Sequence, residues 1–192
     1  LCESGHIATL RQLAELQEVR ESNGSGRASR VARAAQAIAK KLGLGAPDLA
    51  AIELGAALYD LGKISLDAAL LTKTGELTEA EWEAIRKHTI VGYELARNAQ
   101  FLPKAHLEII RHHHERLDGS GYPDRLHGDK IPILARIMSL ADAYVAMSSP
   151  RAYRDAMPAA QIVGEIKKQR GIQFDVDASD ALVHVIEHGE LA

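Results

Sequence analysis

Aromatic residues supply only 4% of this 192-residue chain, and cysteine occurs once, at Cys2. With aromatics scarce and Ala and Leu plentiful, close helix packing is favoured over strands. One cysteine excludes an intramolecular disulfide, sets thiolate metal sites aside and fits a reducing cytoplasm, which is the expected location. No run of about eighteen apolar residues occurs, so nothing in the chain is expected to span a membrane. The N-terminus also lacks the basic-then-apolar pattern of a secretory signal. A basic excess is missing too: the formal net charge is −3, which argues against a duplex nucleic-acid partner while leaving room for a local phosphate site. The first residue is Leu1 rather than Met, and the expectation is a piece of a longer protein whose upstream sensor or membrane anchor lies outside it.

What is present is the composition of a folded domain. Hydrophobic residues at 46% with charged residues at 26% make a globular rather than a disordered chain. The length suits one well-buried core plus an appendage. Residues 5 to about 21 place Ile7, Leu10, Leu13, Leu16 and Val19 at helical spacing. That pattern reads either as a packing helix or as a linker helix that pairs with a partner. The run Ser22-Asn23-Gly24-Ser25-Gly26 breaks it, so the chain divides into an N-terminal linker helix, residues 1–24, and a helical domain, residues 25–192. In the domain, Val31, Ala34, Ala35 and Ile38 make one apolar face that ends near Gly43 and Gly45, and Pro47-Asp48 opens the next helix. Thr78 and Glu81 form a capping box before a helix from Trp82 to Arg97. Pro103 opens a helix carrying three histidines, residues 119–123 form a tight loop, and Pro132 opens a long helix through Met147. Pro158 and Asp177 introduce the last two helices. With no alternating strand pattern and no internal repeat, the fold class is all-α, a single helical bundle.

Five polar residues continue the apolar stripes of these helices. Asp60 follows Ile52 and Ala56, His88 follows Trp82 and Ile85, His113 follows Ile109, His114 follows Ile110, and Asp142 follows Leu134 and Met138. An unpartnered imidazole or carboxylate on a buried face is costly. Carboxylates and neutral imidazoles drawn together from distant segments are most economically reconciled by a cation, which replaces their lost water. A lone histidine on an apolar face is more often a hydrogen-bonded core residue, and His6, His106, His127, His184 and His188 are read that way. In the triplet His112-His113-His114, neighbouring side chains lie about 100° apart on a helix, so His112 leans to solvent while the other two point inward.

The segments Tyr59-Asp60-Leu61-Gly62-Lys63, Lys87-His88, His113 through Pro123 and Ala141-Asp142-Ala143-Tyr144 together resemble the HD-GYP family, a helical branch of the HD-domain phosphohydrolases. The resemblance runs from about Gly26 to Phe174 in the right order and spacing. It implies an HD-domain-like bundle and a cytoplasmic output domain that linearises cyclic di-GMP, using two or three iron- or manganese-type ions to activate water. By that resemblance Asp60 bridges two ions and His88, His113 and His114 complete one site. Lys63 meets the scissile phosphate and assists the reaction with Asp60. Arg151 and Arg154 match a phosphate-binding pair, and Gly121, Tyr122 and Pro123 form the loop that faces guanine or ribose.

The chain departs from the family at three positions. Tyr59 stands where the family has the histidine of its His-Asp pair, Arg27 stands where His-x-x-Arg-Val opens with a histidine, and Asn23 stands where trinuclear members carry a glutamate. Arginine keeps its proton and cannot ligate a metal. These losses fall on one side of the cage, where Asp60 and Asp142 alone remain. Arg27 shares the stripe of Val31, Ala34 and Ile38, so its guanidinium is expected to point inward, occupy the space of a missing ion and pair with Asp142 or Asp60. Three readings stay open at this stage. One is a regulatory domain that binds cyclic di-GMP or a protein with little turnover. The second is an active phosphodiesterase with a reduced metal centre, and the third is a purely protein-binding output domain. The expected cofactor is one divalent ion (iron, manganese or zinc) or none, and the first helix offers a route to a homodimer.

Overall fold

The computed structural model describes residues 2–22, 26–100, 102–150 and 155–191. The elements are α1 (Cys2–Ser22), α2 (Arg27–Lys41), α3 (Ala46–Leu58), a 3-10 turn (Leu61–Ser65), α4 (Ala68–Leu71), α5 (Glu79–Arg86) and α6 (His88–Asn98). They continue with α7 (Lys104–His112), a second 3-10 turn (Gly128–Lys130), α8 (Ile133–Ser148), α9 (Ala159–Gln169) and α10 (Val176–Glu187). No strand occurs among the described residues, only an isolated bridge between Arg170 and Phe174. The fold is the all-α bundle that the helical periodicity implies.

The main core forms around the expected stripe of α2. Val31, Ala34, Ala35 and Ile38 are at most 1% exposed and pack with Ile52 of α3, Ile137 and Met138 of α8 and Leu182 of α10. Burial of each large aliphatic side chain contributes about 1.5–3 kcal/mol, so this one stripe ties four helices together. A second cluster gathers Leu54 and Leu58 of α3, Ala96 of α6 and Ile110 of α7. Against it lie Ile7, Leu10 and Ala14 of α1, so the first helix is docked on the bundle. Its narrow stripe is divided: Ile7 and Leu10 pack inward while Leu16 and Val19 face solvent. The Arg20 guanidinium fastens the other end of α1, donating to the carbonyls of Ile64 and Leu66 at 3.4 and 3.1 Å.

Several boundaries differ from the sequence-based expectation, each for a physical reason. The capping box at Thr78 and Glu81 is present, with both reciprocal hydrogen bonds, but α5 begins at Glu79. The single helix expected from Trp82 to Arg97 is two, broken at Lys87. There the His88 ring takes the Ile85 carbonyl at 2.6 Å, removing an acceptor from the helical ladder. The three-histidine helix stops at His112, with His113 as its cap, because the His113 ring likewise occupies the carbonyls of Ile109 and Ile110. The last helix is capped by Asp175 rather than opened at Asp177, the Asp175 carboxylate accepting from the Ala178 amide at 2.9 Å. His112, expected to lean to solvent, instead meets Asp124 at 2.9 Å.

Candidate metal centre

Asp60 leaves the end of α3 and enters the 3-10 turn Leu61–Ser65. That turn lies flat against α6: a Cβ on Gly62 would stand 1.9 Å from the His88 carbonyl oxygen and 2.5 Å from the Gly92 nitrogen. Only glycine permits this approach, and the approach brings the carboxylate beside the first residue of α6. The end of α7 delivers His113 and His114 to the same point. One ligand atom from each of Asp60, His88, His113 and His114 lies within 4.8 Å of the others.

Hydrogen bonding on the outer side of the rings fixes their tautomers. A carbonyl oxygen can only accept, so the Nδ1–H of His88 donates to Ile85 at 2.6 Å and that of His113 to Ile110 at 3.0 Å. Both Nε2 lone pairs are therefore turned inward. These nitrogens stand 3.3 Å apart and lie 3.4 and 3.9 Å from Asp60 Oδ1. Asp60 Oδ1 is itself buried without a hydrogen-bond partner. With both imidazoles neutral, three acceptors face one another, an arrangement that a cation relieves. Ligand atoms sharing a first-row ion at about 2.1 Å stand roughly 3–4 Å apart, which matches these separations. Three imidazoles and one carboxylate suit iron, manganese or zinc better than calcium.

The electrostatics keep Asp60, His113 and His114 in ligating form. Burial first, and then the neighbouring His88 imidazole, lowers His113 to about 4. Burial first and then His113 and His88 hold His114 well below the usual histidine range. For Asp60, burial alone would favour the acid. Lys63, whose Nζ donates to Oδ2 at 2.8 Å, together with His88 and His113 outweighs it and keeps the carboxylate well below its ordinary range.

Asp142, counted with these four in the sequence, stands apart from them. Its Oδ1 accepts from Arg27 Nη2 at 2.6 Å and from the Tyr59 hydroxyl at 2.7 Å, while Arg27 Nε donates to the same hydroxyl at 3.1 Å. The three residues close a triangle in which guanidinium, phenol and carboxylate are mutually satisfied. Burial opposes the Arg27 charge, but Asp142, Tyr59 and Asp60 raise its pKa further above the ordinary value. Burial and then Asp142 and Asp60 raise Tyr59 well above the phenol range, so it remains a donor. The triangle abuts the quartet directly, the Tyr59 ring meeting His113 edge-on at 5.0 Å between centroids. The five-residue cage expected from the stripes is thus divided into four and one.

The loop after α7 roofs the quartet. Gly121 is pressed onto backbone, where a Cβ would lie 2.4 Å from the Arg116 nitrogen. The Tyr122 ring stacks on His114 at 4.9 Å, and the Tyr122–Pro123 peptide bond is cis. Buried Glu115, which the sequence did not single out, pins the far side by accepting from the amides of Asp124 and Leu126 at 2.7 and 3.0 Å. Glu115→Ala strands two amides that carried charge-assisted bonds and is expected to destabilise the chain by about 2–4 kcal/mol. Thermal unfolding checks this, and a loss under about 0.5 kcal/mol would mean that the loop holds without the carboxylate. Asn23, Arg151 and Arg154 lie outside the described residues.

The HD-domain family profile matches residues 11–178 of the chain. Among curated proteins, the chain is 41% identical over 148 residues to a cyclic di-GMP phosphodiesterase response regulator of Xanthomonas campestris pv. campestris, covering 76% of this chain and 39% of that protein. It is 38% identical over 141 residues to 3′3′-cGAMP-specific phosphodiesterase 2 of Vibrio cholerae, covering 73% of this chain and 27% of that protein. The chain therefore spans about two fifths or less of the length of these relatives. Among solved structures it superposes on an HDG"Y"P protein from Bdellovibrio bacteriovorus with a TM-score of 0.70 at 21% identity, covering 85% of this chain and 52% of that one.

Proposed function

The chain belongs to the HD-domain family, in its HD-GYP branch with Tyr59-Asp60 in place of His-Asp. From this we propose that it is a regulatory domain which binds cyclic di-GMP, holds one divalent ion and turns the nucleotide over weakly or not at all. The observation that carries this reading is the Arg27 guanidinium on Asp142 at 2.6 Å, a fixed side-chain cation beside a four-ligand site. Asp60, His88, His113 and His114 would hold the ion, which would supply Lewis acidity toward a phosphate oxygen and lower the pKa of a bound water. A second ion would complete a two-metal clamp on the attacking and leaving oxygens, and Arg27 cannot replace it because a guanidinium has no coordination site at which to acidify a water. Lys63, beside Asp60, offers a cation to the phosphate, and Tyr122 presents its ring to the sugar or base. By the family resemblance, Arg151 and Arg154 would also bind a phosphate. The domain would work in the cytoplasm, in keeping with a single cysteine, and pass its bound state to a protein partner. No helix among the described residues is long and apolar enough to cross a membrane.

Elemental analysis of protein purified anaerobically with iron or manganese tests the reading, alongside calorimetric binding of cyclic di-GMP and product assays. Near one ion per chain, binding without appreciable turnover, and a rise toward two ions in the Arg27→His/Tyr59→His double variant are the expected results. Two ions in the unaltered chain, or sustained turnover abolished by His113→Ala, would overturn it.

A further inference from the structure

A cleft of about 660 Å³ opens beside the quartet, with His114 and Tyr122 in its wall. Its size is that of a ligand pocket rather than a surface wrinkle. Trp82, Arg86, Arg116 and Arg125 also line this wall, and no carboxylate does. Trp82 is the chain's sole tryptophan and, despite its size, is 44% exposed. It also borders a second cleft of about 620 Å³ lined in part by Lys63, so the indole stands between two openings, of which the first reaches the quartet at His114.

The three arginines are not equivalent. Arg86 is paired with Glu79 at 2.9 Å, and Arg116 is held by Ser120 at 2.8 Å and Asp118 at 3.3 Å. Arg125 makes no side-chain hydrogen bond or ion pair with the described residues, and its φ is 53°, a left-handed backbone that L side chains rarely adopt. An unneutralised guanidinium held on a strained backbone at the rim of a cleft without acids is an arrangement that an anion completes. An exposed indole beside it supplies the flat face on which a nucleobase stacks.

We infer that this wall is the binding site for the half of a cyclic dinucleotide remote from the ion, with one purine stacked on Trp82 and the second phosphate paired with Arg125. The inference rests on the cyclic-dinucleotide reading above and adds to it a grip that needs no metal. It follows that affinity and ion occupancy are separable properties of this chain.

Because Trp82 is the sole indole, the chain's tryptophan emission reports on this residue alone. Titration of the ion-loaded and the chelator-treated chain with cyclic di-GMP is expected to quench that emission to saturation in both. In calorimetry Trp82→Ala is expected to weaken binding about five- to fiftyfold, Trp82→Phe to stay within about threefold, and Arg125→Ala to weaken it about tenfold, each with unchanged ion content. Arg125→Ala carries the test by itself should Trp82→Ala disturb α5. Binding by calorimetry with wild-type affinity in both alanine variants, or without any change in emission, would overturn this inference and leave the proposed function standing. If the unaltered chain binds none of cyclic di-GMP, cyclic di-AMP and 3′3′-cGAMP, the nucleotide reading itself falls, and this one with it.

Discussion

Replacing Arg27 with methionine is expected to lower stability by about 2–4 kcal/mol, although the volume of the side chain is largely conserved. The guanidinium gives one hydrogen bond to Asp142 and one to Tyr59, and the two charged side chains are only 23% and 14% exposed. Removing one partner of such a pair leaves the other charge desolvated, and that penalty exceeds the net contribution of the intact pair. The remaining exposure places the effect toward the lower end of the range for buried pairs. For a chain of this length the melting temperature should fall by roughly 5–15 °C. Arg27→Met/Asp142→Asn removes both charges and should recover most of the loss, since Tyr59 can still donate to the amide oxygen. Circular dichroism melts of the three proteins make the comparison. If the double variant is as unstable as the single one, Arg27 acts through packing and not as the counter-cation of Asp142.

The second large effect belongs to Gly62→Ala. The new methyl would stand 1.9 Å from the His88 carbonyl oxygen and 2.5 Å from the Gly92 nitrogen. Both are backbone atoms, so no side-chain rotation relieves the clash, and the 3-10 turn has to lift from α6. Overpacking against side chains usually costs about 1–3 kcal/mol; with backbone on both sides a loss above 3 kcal/mol is expected. The same displacement separates Asp60 from His88, so the variant should also fail to retain an ion under conditions that load the unaltered chain. Gly75→Ala is the control, since its added methyl meets nothing nearer than the Lys73 side chain at 4.0 Å. A Gly62→Ala protein that melts with the unaltered chain and keeps its ion would show that the turn has freedom these contacts exclude.

Local rules made the helical class, the capping box at Thr78 and the tight loop of residues 119–123 legible, because each depends on side chains a few residues apart. The break at Lys87 and the end of α7 at His112 follow another logic. They are made by the rings of His88 and His113, which leave the helical pattern to take carbonyl groups while their other nitrogens converge. No propensity encodes that demand. Apolar periodicity placed Asp142 on an inward stripe, and it does face inward, but periodicity cannot tell which of two neighbouring polar clusters it joins. The Arg27 stripe and charge suggested a pairing with Asp142 or Asp60, and the fold gives the contact to Asp142. Gly62 carries no local signal, since its constraint comes from α6, twenty-six residues along the chain. Trp82 marks the limit of stripe reading most plainly. It shares a face with Ile85 and His88, yet that face meets an open cleft at Trp82 and packed protein at His88. Spacing identifies residues that look the same way, not what they look at.

The grip of Arg20 on the carbonyls of Ile64 and Leu66 makes the first helix and the ligand-bearing turn mechanically one piece. Swinging α1 outward would tear its donor from the segment that begins at Asp60, and twisting the turn would drag the helix with it. Glu18 of the same helix also accepts from the Arg27 amide at the start of α2. Force applied along α1 would therefore be felt both in the segment that follows Asp60 and at the start of α2, which carries Arg27.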